Sequence, residues 1–326
     1  MIDRLGRSLE YLRISVVDRC NLRCVYCMPA AGAGFDPWAE LLTYDEIVTL
    51  TGYFAELGIR KVRLTGGEPL VRPGIAGLIR RIRKIPGIEE LALSTNGVLL
   101  KDQARELHDS GLDRINVSLD TLRRERFTQI AKMDRLHDVL EGIEAALRCG
   151  LRPVKINTVL MKGVNEDEIL DLTRFAVERS IEVRFIELMQ TNQTVPLDPG
   201  KNFLSVEEAR AMIERQYRLV PFDTYFSSPA KVFSIAGTQA RVGLISPLSC
   251  FFCTRCNRLR LKANGALKTC LHGKEDLDLK SLLRSGVSRA VIQRNIEAVV
   301  FNRPEQHFLT EPKIEHQDFQ MSHVGG

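Results

Sequence analysis

The chain has 326 residues, 44% hydrophobic and 27% charged, with a formal net charge of +5. That is enough for a sizeable core plus an appendage, or for two domains. The positive charge is modest and spread out, and the densest run, RRIRK at 80–84, reads as a solvated helix face; a nucleic-acid partner is not expected, while an anionic small substrate is compatible. The start, MIDRLGRSLEYLRIS, is charged throughout, and no segment approaches the ~18 apolar residues of a membrane span. A cytoplasmic protein without a membrane partner is therefore expected, and in that reducing setting its 8 cysteines argue for metal sites over disulfides.

The first strand-like run, LRISVV at 12–17, leads into DRCNLRCVYCMP, where Cys20, Cys24 and Cys27 form C-x₃-C-x₂-C. Three thiolates can hold three irons of a 4Fe-4S cluster and leave the fourth iron open for a reacting cofactor. Zinc is the alternative, but a closed zinc site wants four ligands and no histidine or fourth cysteine lies nearby in sequence. Thr43-Tyr44-Asp45-Glu46 is a capping box opening a helix with Ile47, Leu50, Phe54 and Leu57 on one face and Gly58 as its stop. KVRLTG at 61–66, LALSTNG at 91–97, RINVSLD at 114–120, VKINTVL at 154–160 and EVRFIEL at 182–188 alternate with helical patterns, two of which stop at Gly111 and Gly150. Six βα units favour a parallel sheet, either a partial barrel or a doubly wound sheet.

Gly66, Gly67, Glu68 and Pro69 follow the second strand, and glycines there allow close backbone approach. Ser118 and Asp120 alternate with apolar residues and point one way; Asn96 and Asp120 are otherwise cap or turn residues. Cys149 reads as a buried thiol at a helix end. QTNQTVPLDPGKNFL at 190–204 is a boundary loop before a helix from Ser205, and KVFSIAGTQARVGLI at 231–245 is a hairpin. A second triad follows: Cys253, Cys256 and Cys270 in C-x₂-C-x₁₃-C, with His272 or Cys250 as a fourth ligand if the metal is zinc. Alternation in Asn257-Arg258-Leu259-Arg260 puts two guanidiniums on one side, a fork suited to phosphate or a purine edge. The closing SHVGG reads by itself as a frayed terminus.

C-x₃-C-x-Y-C, with Tyr26 before its last cysteine, resembles the signature of the radical S-adenosylmethionine (SAM) enzymes. Together with GGEP, C-x₂-C-N-R-L-R, the late cysteine and the terminal Gly325-Gly326, it is similar to the GTP 3′,8-cyclase family of molybdenum-cofactor biosynthesis. The resemblance implies an α/β fold, an incomplete (β/α)₆ TIM-type barrel over 1–220 with a C-terminal extension over 221–326 carrying a second Fe-S cluster. It implies two 4Fe-4S clusters, one on Cys20, Cys24 and Cys27 for SAM, the other on Cys253, Cys256 and Cys270 for the guanine of GTP. SAM would be held by Tyr26, Gly67, Ser118 and Met189, and GTP by Arg13, Arg63, Ser94, Lys155, Arg258, Leu259 and Arg260. Arg258, Arg260, Gly325 and Gly326 would act at the reacting centre.

The reaction implied takes hydrogen from C3′ of GTP and joins C3′ to C8, giving (8S)-3′,8-cyclo-7,8-dihydroguanosine 5′-triphosphate. An unidentified one-electron donor and a homodimer come with the family. Ser94 stands where the family usually has threonine, Gln190 where it usually has aspartate, and Cys250 has no family role. A twin-cluster radical SAM enzyme acting on a peptide and a zinc-binding or redox-sensing module are the competing readings.

Overall fold

The computed structural model describes residues 1–28, 34–189, 197–223, 228–306 and 321–325. The six expected strands are β1 (Tyr11–Ser15), β2 (Lys61–Thr65), β3 (Glu90–Thr95), β4 (Arg114–Ser118), β5 (Val154–Leu160) and β6 (Glu182–Glu187), parallel and paired in chain order. Helices intervene as the periodicity predicts. Thr43 caps Tyr44–Glu56, its hydroxyl accepting from the Glu46 N–H at 3.1 Å while Glu46 accepts from the Thr43 N–H at 2.7 Å. The helix from Val206 carries the same device on Ser205 and Glu208. Gly58, Gly111 and Gly150 stop their helices in the left-handed region, with φ of 96°, 93° and 87°.

The C-terminal third extends this sheet at both edges. Strands β7 (Leu219–Phe222), β8 (Lys231–Ile235) and β9 (Arg241–Ile245) lie beyond β6, and β10 (Arg258–Leu261), β11 (Ala266–Lys268) and β12 (Leu277–Asp278) lie beyond β1. Both β9 and β10 join in parallel, so among the described residues eight parallel strands run β10-β1-β2-β3-β4-β5-β6-β9, with antiparallel strands outside them. The hairpin expected at 231–245 is β8–β9. The loop expected at 190–204 lies partly outside the described residues; Pro199–Asn202 within it form a helical turn.

Alternation divides the sheet into two chemistries. Leu12, Ile14, Val62, Leu64, Leu91, Leu93, Ile115, Val117 and Ile156 are fully buried in the apolar core. The intervening Arg13, Arg63, Ser94, Asn116, Ser118, Lys155 and Asn157 face a cavity. A parallel sheet covered on both faces reads as near-continuous apolar strands; this one keeps a polar face because a cavity lies against it. No described helix is long and apolar enough to cross a membrane.

Candidate active site

The cavity on the polar face has a volume of about 880 Å³, and both cysteine triads line it. The same cavity is lined by Arg13, Arg63, Ser94, Ser118, Lys155, Arg258 and Arg260, and by Tyr26, Gly67 and Met189. The Leu259 side chain is fully buried in the core between the two cavity-facing guanidiniums, leaving only its backbone for a ligand. Gly326 and Gln190 lie outside the described residues.

The first triad sits on the loop after β1, which packs backbone to backbone on the loop after β2. Gly67 N–H donates to Val17 O and Glu68 N–H to Arg19 O, both at 2.8 Å. A Cβ on Gly66 would stand 2.3 Å from Val17 O and one on Gly67 2.2 Å from Arg19 O, so no side chain fits at either position. Buried Glu68 ties in the third strand, accepting from Leu70 N–H at 3.0 Å, Thr95 Oγ1 at 2.7 Å and Asn96 N–H at 2.6 Å. Burial pushes its carboxyl up to about 7, against those donors. Asn96 donates in turn to Asn21 Oδ1 at 2.7 Å and lies 3.6 Å from Cys20 Sγ. Tyr26 is aimed by a 2.7 Å hydrogen bond to Asp120, whose other oxygen accepts from Val159 N–H at 2.8 Å. Asn96 and Asp120 are thus part of the site's frame as well as turn residues.

Cys20 and Cys27 of the first triad and Cys256 of the second have opposite electrostatic settings. Burial raises Cys20 to about 11 and Cys27 to about 12, with Glu68 and Asp120 adding repulsion, so these thiolates need a cationic partner. At Cys256 burial also works upward, but Arg258 and Arg303 outweigh it and bring the thiol down to about 6. Arg303 donates to Cys256 O at 2.7 Å and to Cys256 Sγ at 3.0 Å, while Arg7 holds Cys253 O at 3.0 Å. Both donor sets are soft thiolates suited to iron–sulfur clusters. Among the described residues no three His, Cys, Asp or Glu side chains gather tightly enough for a single ion; ligands on separate irons of a cluster need not meet at one point. Cys250 is exposed and does not line the cavity, whereas His272 does. Cys149 is half-buried, its Sγ 2.9 Å from Ala145 O.

Cations crowd the space between the triads. Burial and the neighbouring Arg260, Arg63 and Arg258 hold Arg13 well below its usual range, and burial with Arg258 lowers Arg260 to about 10. Crowding of like charge on a buried wall is relieved by a polyanion. Arg63 donates to Ser94 Oγ at 3.1 Å, so the serine hydroxyl is retained as a partner of the guanidinium. The side-chain oxygens of Asn116 and Asn157 are buried without a protein partner on the same wall. Lys61, Arg114, Glu182, Arg184 and Arg241 also line the cavity and escaped the sequence reading. The available signal was a charged residue at every second position of strands otherwise apolar, as in Glu182-Val183-Arg184.

The tail is folded in. Met321–Val324 form a helical turn, and the Gly325 carbonyl accepts from Arg260 Nη1 at 2.7 Å. Gly325 has φ +73°, and a Cβ there would lie 2.2 Å from Thr65 Cγ2. His323 Nε2 is 3.1 Å from Gly34 O on the other side of the turn.

Residues 14–176 match the Radical SAM superfamily, and residues 181–309 match Molybdenum Cofactor Synthesis C. The GTP 3′,8-cyclases of Alkaliphilus metalliredigens and Heliobacterium modesticaldum are 45% and 44% identical to the chain over 100% of both sequences. That of Pelotomaculum thermopropionicum is 43% identical, again over 100% of each. Among solved structures, Streptococcus suis SuiB bound to S-adenosylmethionine superposes with a TM-score of 0.61 at 14% identity, covering 88% of this chain and 68% of SuiB. The complex of SuiB with its precursor peptide SuiA gives 0.64 at 14% identity, covering 96% and 75%. These two likenesses show a shared α/β fold.

Proposed function

Because the chain belongs to the GTP 3′,8-cyclase family of radical SAM enzymes, we propose that its cavity holds two 4Fe-4S clusters, SAM and GTP. There it makes (8S)-3′,8-cyclo-7,8-dihydroguanosine 5′-triphosphate, the first step of molybdenum-cofactor biosynthesis. The observation that carries this reading is a single cavity lined by two cysteine triads and by Arg13, Arg63, Lys155, Arg258 and Arg260. Cys20, Cys24 and Cys27 would hold a cluster that, once reduced by the one-electron donor, would supply the chemistry for cleaving SAM to the radical that takes hydrogen from C3′.

The protein's own residues bind, aim and shield. Cys20, Cys24 and Cys27 hold the SAM cluster, and Tyr26, Gly67, Ser118 and Met189 hold SAM. Arg13, Arg63, Ser94, Lys155, Arg258 and Arg260 take the GTP, with Leu259 contributing through its backbone, while Cys253, Cys256 and Cys270 hold the second cluster at the guanine. Arg258 and Arg260, with Gly325 and Gly326, would act on the reacting atoms. Fixing donor and acceptor carbons in one shielded space replaces collision by proximity.

An incomplete barrel, spanning 1–220 with the second-cluster region over 221–326, accounts for the connection between β9 and β10. Eight flat strands put these two edges roughly 34 Å apart at ~4.8 Å per step. Residues 246–257 must bridge them while including the tight turn Cys253–Arg255, which favours a curled sheet. The family's homodimer, cytoplasmic setting and one-electron donor complete the proposal; sedimentation of the reconstituted protein checks the dimer.

The test is anaerobic reconstitution followed by iron and sulfide counting and assay with SAM, GTP and dithionite. About eight irons per chain are expected for two clusters, with 5′-deoxyadenosine and the cyclised triphosphate formed together. About four irons plus zinc, or 5′-deoxyadenosine without a cyclised nucleotide, overturns the reading.

A further inference from the structure

Lys155 and Arg184 point into the cavity from neighbouring strands, and one carboxylate holds both. Glu182 of β6 is in register with Lys155 of β5 and is 4% exposed. Its Oε2 accepts from Lys155 Nζ at 2.8 Å, and its Oε1 accepts from Arg184 Nε. A buried carboxylate is costly unless well paired, and here the burial penalty is outweighed by Arg184 and Lys155, which keep the group below its usual range. The next strand makes room for the arrangement. Gly243 of β9 faces Arg184, and a Cβ there would come within 2.9 Å of Arg184 Cγ and 3.5 Å of Glu182 Oε1. Arg241, the register partner of Glu182 on β9, is stacked on Phe222 at 3.8 Å, while the carboxylate accepts from Lys155 and Arg184.

We propose that Glu182 is a positioning residue that holds Lys155 and Arg184 extended along the cavity wall and, as the competing anion, sets how tightly that wall grips a polyphosphate. This rests on reading the cavity as the GTP site. The Lys155–Glu182–Arg184 trio carries a net charge of +1, against +2 without the carboxylate. Phosphate oxygens entering beside it share the same donors, so the carboxylate orients the cations beforehand and weakens their grip afterwards. The isosteric glutamine keeps an acceptor oxygen and removes the charge.

Lys155 provides a second readout. It faces Arg114 and Asn116 from β4, Glu182 and Arg184 from β6, and Arg241 from β9 beyond. Burial, with Arg184 and Arg114, brings its ammonium down to about 8, and Glu182 is the neighbour working against that fall. Removing the carboxylate's charge lowers it further, so the alkaline loss of the Lys155 cation begins at a lower pH.

The experiment is calorimetric titration of GTP into anaerobic, cluster-loaded wild type, Glu182→Gln, Glu182→Asp and Gly243→Ala, from pH 6 to 9. Glu182→Gln is expected to bind GTP about ten-fold more tightly near pH 6.5, through uncompensated charge, and to lose affinity at lower pH than wild type. Glu182→Asp, which restores the charge, returns both features toward wild type. Gly243→Ala crowds Arg184 and weakens binding without moving the alkaline limb. Wild-type affinity with an unmoved limb in Glu182→Gln overturns the proposal, as does weaker binding at pH 6.5 by a variant with full iron content. A wild type that binds no GTP overturns the GTP-site reading as well, and is distinguished by being seen before any variant is compared.

Discussion

Arg260 and Gly325, sixty-five residues apart, are joined by a buried 2.7 Å hydrogen bond from Nη1 to the glycine carbonyl. The bond fixes one arm of the arginine fork and the chain's last described residue to each other. With φ +73° and Thr65 Cγ2 2.2 Å from where a Cβ would be, Gly325 admits no other residue without displacing the tail. Gly325→Ala is therefore expected to cut product formation by about two orders of magnitude, since misplacement near reacting atoms is that costly, while iron content stays at the wild-type value. Thr65→Ala in the same chain relieves the clash and restores part of the rate. Full activity of Gly325→Ala, or of a chain lacking both terminal glycines, returns the tail to a mere terminus.

The paired glycines after β2 give a separate prediction about assembly. Since Gly67 lies against the Arg19 carbonyl, Gly67→Ala pushes the first cysteine loop away from Glu68. Iron should fall from about eight to about four per chain, with SAM cleavage lost and the second cluster's spectrum retained. Retention of all the iron with normal SAM cleavage contradicts this.

Removing single cysteines tests the two proposed cluster sites separately. Cys24→Ala is expected to abolish 5′-deoxyadenosine formation. Cys270→Ala, on the far side of the cation strip, should spare the first cluster and permit uncoupled SAM cleavage while stopping cyclisation of GTP. Wild-type cyclisation by Cys270→Ala refutes a substrate-binding role for the second triad.

Wild-type binding should also depend on pH through Lys155, whose ammonium sits near 8 instead of its ordinary 10.5. The protonated form is the one that attracts phosphate, so GTP affinity is full below about 8 and declines above it. Lys155→Met should bind more weakly at neutral pH and lack that limb. Titration of KM or Kd across pH 7–9 in the two proteins decides the point.

Local signals were legible where chemistry and backbone needs coincide. Thr43 and Glu46, the helix-stopping glycines, both cysteine triads and the Arg258–Arg260 alternation can be read directly from residue order. The parallel placement of β9 and β10 at opposite edges cannot, because edge pairing depends on what the rest of the sheet leaves open. Gly66 and Gly67 announce close approach, but their neighbour, the backbone of the cysteine loop, becomes visible only in three dimensions. The alternation of Glu182 and Arg184 is visible in the sequence, but the cross-strand pairing of Glu182 with Lys155 leaves no mark in spacing. Leu259 shows the converse: a motif position can belong to the pattern while its side chain belongs to the core.

The pairing of β1 with β10 also bears on how the protein is made. Tyr11 meets Arg258 across about three quarters of the chain, so this edge closes only after the ribosome has delivered most of the polypeptide, and long-range contacts of this kind form slowly. Cys256 and its arginine escort take their positions as that edge closes. The side-chain hydrogen bonds of Glu68, Asn96 and Asp120 that frame the first triad's loop reach no further along the chain than Val159, so the second triad is expected to be completed last, and metal held there requires that an early and a late strand have already paired.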